Sequence, residues 1–153
     1  MYTRPMKKEQ IISIITLLLG FIGLGVSAYL SYKQLSGAPI GNCPIFGGGC
    51  EDVLHSKYSQ FLGIPLAYYG LLFYAGISTL SALFLFTKKK IFLHLLAFGA
   101  IVGFLDSVMF IYIQGVLIGA YCFYCVVSAL TSTLLFFTML GTIIDKLLDF
   151  FED

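Results

Sequence analysis

The chain has 153 residues, 59% of them hydrophobic and only 11% charged, with a net charge of +1. Charged residues make up about a quarter of an ordinary soluble domain, so this chain lacks the polar surface to clothe a water-soluble globule, and lipid is the expected solvent for most of it. The small net charge and the absence of a long basic run argue against nucleic acid as a partner.

Four apolar runs follow one another. Ile11 to Tyr32, Phe61 to Phe86 and Tyr121 to Ile144 carry no charged residue, and Ile91 to Gln114 carries one acid, Asp106, and one histidine, His94. A membrane-crossing helix needs about 20 apolar residues, and all four runs meet that length. The fold expected is all-α: a four-transmembrane-helix bundle with helices at about 11–32, 61–86, 91–114 and 121–144. No internal repeat breaks residues 1–153 into smaller units, so one domain is expected.

Positive residues near helix ends prefer the cytoplasm. Arg4, Lys7 and Lys8 precede the first run, and Lys88, Lys89 and Lys90 separate the second from the third. Both termini and the lysine turn are therefore predicted inside. The loop from about Ser31 to Gln60 and the short turn near Gly115 to Ala120 are predicted outside. The first run has a basic start and a small-residue stretch, Val26-Ser27-Ala28, as a cleaved signal peptide would, but it continues past that site. A retained first helix is the better reading.

That topology puts all four cysteines on one side. Cys43 and Cys50 lie in the outer loop, and Cys122 and Cys125 open the fourth run. The outer side is the oxidising one. In Cys122-Phe123-Tyr124-Cys125 the two thiols share a helix face, since positions three apart are neighbours. A helix N-terminus favours a thiolate, and such a thiolate exchanges readily with disulfides. The pair is a redox candidate or a local disulfide. Between Cys43 and Cys50 stand three glycines, Gly47, Gly48 and Gly49. They let the loop close into a disulfide, and equally let Cys50 leave Cys43 for another sulfur. A zinc site of four cysteines with His55 is disfavoured: the Cys43–Cys50 spacing is too wide, and the compartment oxidises thiols. No metal is expected.

The ordered set of features resembles the vitamin K epoxide reductase family in its bacterial or archaeal form. It runs from a loop cysteine pair to Ser56, then Gly63-Ile64-Pro65 entering the second helix, then a late CxxC. Four-helix thiol oxidases of the DsbB type carry their CxxC in the first outer loop instead. The resemblance implies a quinone-reducing membrane thiol oxidoreductase that supports disulfide formation. It implies that Cys125 meets the quinone (menaquinone or ubiquinone), that Cys122 exchanges with Cys50, and that Cys43 completes the pair facing an external partner. Ser56 matches the family's loop-orienting serine. The partner implied is a thioredoxin-like or DsbA-like protein, expected in trans, and the location implied is the plasma (inner) membrane. Animal enzymes have an asparagine and a tyrosine where this chain has Ser59 and Ala129, which favours quinone reduction over epoxide reduction.

Other candidates come from the residues themselves. Asp106, a costly acid inside an apolar run, is a candidate proton donor or a locally paired polar group. Phe123 and Tyr124 are candidates for packing on the quinone. Glu51, Asp52 and His55 read as solvated loop residues, and His94 as an interfacial one. The competing function from another class is a non-enzymatic tetraspan with structural disulfides.

Overall fold

Along the first helix, small and hydroxyl side chains face the inside of the bundle and most large apolar ones face outward, while the other helices bury Tyr74, Phe84, Leu96, Leu135 and Met139. In the first helix, α1 (Lys8–Ser36), the buried positions are Ser13, Thr16, Gly20, Gly23, Ser27, Leu30 and Ser31. Ile11, Ile15, Leu18, Phe21 and Ile22 are exposed. Lipid is as apolar as leucine, so membrane helices gain from close backbone approach rather than from burying large side chains. A side chain at Gly20 would run into Ser78, and one at Gly23 into the ring of Tyr74.

The structure, a computed structural model, describes residues 7–41 and 43–152. Arg4, one of the orienting charges, and Asn42 lie outside the described residues. After α1 come a short helix α2 (Gly49–Leu54), a two-stranded hairpin, β1 (Gln60–Phe61) and β2 (Ile64–Pro65), then α3 (Leu66–Thr87) and α4 (Lys90–Tyr112). A π-helical segment, Ile113–Ile118, continues α4, and α5 (Phe123–Glu152) closes the chain. Among the described residues, four stretches are long and apolar enough to cross a membrane: Lys8–Ser36, Leu66–Thr87, Lys90–Ile118 and Phe123–Asp145. The protein is a multi-pass all-α membrane protein. α1 packs on α3 and α5, and α4 packs on the same two, so the four long helices form a closed ring.

Several boundaries differ from the sequence expectation, each for a local reason. α1 runs past Tyr32 because Lys33 and Gln34 tolerate a helix emerging into water. Gly37 stops it with φ 62°, the left-handed conformation glycine enters without penalty. α3 starts at Leu66 rather than Phe61 because Leu62 and Gly63 both take positive φ and turn a hairpin. Gln60 pairs there with Pro65 and Phe61 with Ile64. Pro65 caps α3 rather than lying within it. The outer loop holds a helix, α2, that the glycine-rich sequence does not announce. α5 begins after Cys122 instead of before it.

Candidate active site

The loop cysteines are held by a tight turn. Cys43 N–H donates to the Gly47 carbonyl at 2.6 Å, and Gly47 takes φ 58° to make that turn. Cys43 and Cys50 are joined as a disulfide with their Cα atoms 6.0 Å apart. The three glycines have different tasks. Gly48 has ordinary right-handed geometry at the start of α2. Gly49 is buried, and a side chain there would strike the backbone carbonyl of Tyr121. The loop helix therefore lies directly on the residue before Cys122, and the Phe46 ring sits 5.8 Å from that of Tyr121.

The far end of α2 is fastened too. Ser56 donates through its Oγ to the Val53 carbonyl at 2.8 Å, and Ser59 Oγ donates to the Ser56 carbonyl at 2.8 Å. Ser56 thus lies where it closes the end of α2. Glu51 is not a free solvated acid, since it accepts the Ile40 N–H and lies 3.0 Å from His55 Nε2. Asp52 and His55 are exposed.

Cys122 stands at the cap position of α5, and Cys125 is the third helical residue. The Sγ of Cys122 accepts the Cys125 N–H at 3.4 Å, the bond that a serine or aspartate cap ordinarily supplies. Cys122 precedes the membrane-crossing stretch, and its thiol is held below the ordinary range. The side-chain hydrogen bond with Cys125 is the main cause; burial opposes it, and the backbone N–H groups of Cys125 and Tyr124 assist. The Cys122 N–H in turn donates to Gln114 Oε1 at 2.9 Å.

Cys43, Cys50 and Cys122 are buried in one cluster with Val53 and Leu54, and Cys125 packs against it. Cys125 also lines a cavity of about 440 Å³ between the helices. Asp106 of α4, Ser59, Tyr74, Ser128 and Ala129 share its wall. Tyr74 donates to the Ser128 carbonyl at 2.6 Å, one turn along α5 from Cys125. The hydroxyls of Ser107 and Ser132, also on the wall, are hydrogen-bonded to each other. Phe123 and Tyr124 do not line this cavity. Phe123 packs around the cysteines, and the Tyr124 ring lies 4.9 Å from that of Tyr29. Side chains at i+1 and i+2 from Cys122 point around the helix, away from the face that carries Cys125. Among the described residues, no three of His, Cys, Asp and Glu gather as a metal set.

The arrangement thus gathers the two cysteine pairs in one apolar cluster, with Cys125 also lining the cavity between the helices. The sequence matches the Vitamin K epoxide reductase family over residues 14–140, a stretch that holds all four cysteines. The chain belongs to that family. It is 37% identical over 118 residues to the thiol-disulfide oxidoreductase LTO1 of Arabidopsis thaliana, an alignment covering 72% of this chain and 31% of that protein. The chain thus spans about a third of the relative's length. This member of the vitamin K epoxide reductase family has, among the described residues, four helices long and apolar enough to cross a membrane.

Two residues of the site were missed by sequence reasoning: Tyr74 on the cavity wall, and Gln114, which lies off the wall against Cys122. Tyr74 is one of several aromatic residues in the outer half of the apolar runs, and the bond from its hydroxyl to Ser128 of α5 could not be told from spacing. Gln114 read only as the end of an apolar run. A lone uncharged polar side chain at that end was the available signal.

Proposed function

We propose that the protein carries electrons from an external dithiol protein, thioredoxin-like or DsbA-like, through its two cysteine pairs to a membrane quinone, and so supports disulfide formation. The observation that carries this reading is the shared burial of Cys50 and Cys122 in one cluster, with Cys125 opening onto the cavity. The partner's thiolate attacks Cys43, breaking the Cys43–Cys50 bond and freeing Cys50 as a thiolate. Cys50 attacks Cys122 of an oxidised Cys122–Cys125 pair and releases Cys125. The partner's second thiol then displaces Cys43 and leaves as a disulfide. Cys43 next attacks Cys50, restoring the loop bond and leaving Cys122 and Cys125 reduced. Each exchange breaks one S–S bond and forms another.

Cys125 delivers the electron pair to a quinone in the cavity, the CxxC disulfide re-forms, and the quinol takes up two protons. Asp106 is the acid on the cavity wall suited to pass one of them. Ser56 orients the loop through α2. Ser59 and Ala129, both on the wall, leave it without the amide and phenol of the animal enzymes, so quinone rather than epoxide is the substrate. Residues 1–153 act as one such domain. It lies in the plasma membrane with both termini cytoplasmic and the cysteines outside.

The test is quinone reduction by the protein in nanodiscs, driven by a reduced DsbA-like protein. Cys50→Ala and Cys122→Ala should each abolish it, while the partner stays reduced. Turnover that survives both changes would return the protein to a bundle with structural disulfides. Single-cysteine variants should label from outside intact cells; labelling from the inner face alone would reverse the topology.

A further inference from the structure

Gln114 is fully buried, and its two amide atoms differ in what they meet. Its Oε1 accepts the Cys122 N–H at 2.9 Å. Its Nε2 is buried and has no hydrogen-bond partner among the described residues. The amide cannot simply be turned over to repair this, because a second donor would then face the Cys122 N–H. A buried donor without a partner is rare in a settled structure and calls for a role.

The backbone around Gln114 is also unusual. It lies in the π-helical segment Ile113–Ile118, and such segments occur often at functional sites. The Gln114 carbonyl accepts the Ala120 N–H at 3.2 Å. One residue thus grips the chain on both sides of the turn into α5, by its carbonyl and by its side chain. Gly115, next to it, leaves room for the Tyr121 hydroxyl. The same π segment touches α2, which carries Cys50, and Ile118 packs in the cysteine cluster. Gln114 therefore stands where the loop helix, the π segment and the CxxC meet.

We propose that Gln114 is a positioning residue for sulfur exchange: Oε1 fixes the Cys122 backbone, and the Nε2–H donor, which no acceptor among the described residues takes, the Cys122 sulfur included, turns to the thiolate formed there as the loop pair and the CxxC exchange. This rests on the proposed relay and deepens it. In the exchange, Cys50 binds Cys122 and later leaves it, and the electron pair of the broken bond returns to Cys122 as a thiolate. The loop helix packed here carries the acids Glu51 and Asp52, with the exposed His55 paired to Glu51 at its end, and no lysine or arginine. The groups that titrate nearby are Cys125, Tyr121 and Tyr124 on or beside α5, with Tyr29 of α1 beyond Tyr124. None is a cation. A neutral donor is the chemistry available to meet the charge without leaving a buried ion after it moves on.

Two variants test it in the full-length protein in nanodiscs. Gln114→Met keeps the length and removes both polar atoms. Gln114→Glu keeps an acceptor for the Cys122 N–H and loses the amide donor at the alkaline pH where the thiol titrates. The readouts are the Cys122 titration midpoint, from the 13Cβ shift of labelled cysteine in the reduced protein, and the kcat and KM of quinone reduction. Both variants should raise the midpoint by about one unit, which is tenfold less thiolate at a fixed pH below it. Both should lower kcat about tenfold in parallel and leave the quinone KM unchanged, because Gln114 is not on the cavity wall. An unchanged midpoint in Gln114→Glu overturns the proposal. So does a change in either variant that follows only the folded fraction, read by thermal melting. Failure of the relay itself looks different: Cys122→Ala would still turn over, whatever the Cys122 titration in the Gln114 variants.

Discussion

The sulfur of Cys122 receives the backbone N–H of Cys125 at 3.4 Å, so a catalytic candidate also serves as the cap of its own helix. Capping then adds to acidity, because the bond is stronger to a thiolate than to a thiol, although the Cys125 side chain is the larger cause. The Cys122 titration midpoint in the reduced protein is expected below the ordinary thiol value of about 8.5. A group whose folded value is depressed adds stability that is fully present above its unfolded value and is lost as pH falls through the folded one. Reduced protein should therefore melt higher above about pH 8.5 than below the Cys122 midpoint. Cys125→Ala removes the largest cause of the shift and should move the midpoint back up. A midpoint that stays put would assign the shift to the backbone alone.

Gly49 decides whether the loop helix can lie on the CxxC. A Cβ at that position meets the Tyr121 carbonyl, whereas one at Gly48 finds open space. Gly49→Ala should push α2 away and slow partner-driven quinone reduction about tenfold to a hundredfold, as expected for a misplaced reacting group. Gly48→Ala should leave it within about twofold, since the residue has right-handed geometry that alanine accepts. Direct reduction of Cys122–Cys125 by dithiothreitol should change little in either variant. Equal behaviour of the two in partner-driven turnover would mean that the loop acts through general softness.

Much of the architecture was legible because the membrane writes it in long apolar runs and flanking lysines. The four spans could be read from residue type and spacing, whereas a Cys43–Cys50 bond was one of the options that the loop residues left open. What could not be read depended on a few backbone torsions. The hairpin at Leu62-Gly63 moved the start of α3, and the π segment moved the end of α4. Two residues at the start of α5 then turned Cys122 from a helical residue into a cap. The sequence also suggested that three adjacent glycines share one role; only the nearby Tyr121 carbonyl separates Gly49 from Gly48. Phe123 and Tyr124 were candidates for packing on the quinone as aromatics of the outer half, yet neither lines the cavity that Cys125 lines.

Asp106 shares that cavity with Cys125, and its neighbour Ser107 is tied to the Ser132 hydroxyl. A carboxylic acid there has the reach of the cavity and no competing ion pair among the described residues. Asp106→Asn keeps the shape and removes the exchangeable acid. It should lower kcat for quinone reduction about a hundredfold, in the range of general acid catalysis, with the thiol exchange between loop and CxxC intact in a single-turnover gel assay. A loss below about twofold would leave Asp106 as a wall residue only.

Tyr74 ties three helices: its ring lies against Gly23 of α1, and its hydroxyl bonds to Ser128 of α5. Tyr74→Phe should cost about 1 kcal/mol of stability, the net worth of one such bond. Gly23→Ala forces the ring to move and should cost about 1–3 kcal/mol by overpacking. Unfolding in mixed micelles gives both values. An equal, small loss in the two would mean that α1 shifts freely against α3.

Ala129 lines the cavity one turn of helix from Cys125, is buried, and stands beside the Ser128 carbonyl that holds Tyr74. A phenylalanine there would project into the space assigned to the quinone. Because the cavity is already open, the larger side chain has somewhere to go, so Ala129→Phe should fold with little change in melting. Its effect should fall on substrate: a higher quinone KM, about tenfold, which is the loss of roughly 1.4 kcal/mol of binding. The Cys122 midpoint and the loop exchange should stay as they are, since neither faces the new ring. Leu130→Phe, the next residue along, is the control. Leu130 is 59% exposed on the outer face of α5, where a larger apolar side chain meets only lipid. If Ala129→Phe and Leu130→Phe shift KM alike, the ring is acting through the helix and the cavity is not where the quinone binds. If Ala129→Phe alone raises KM, the space beside Cys125 is the substrate site.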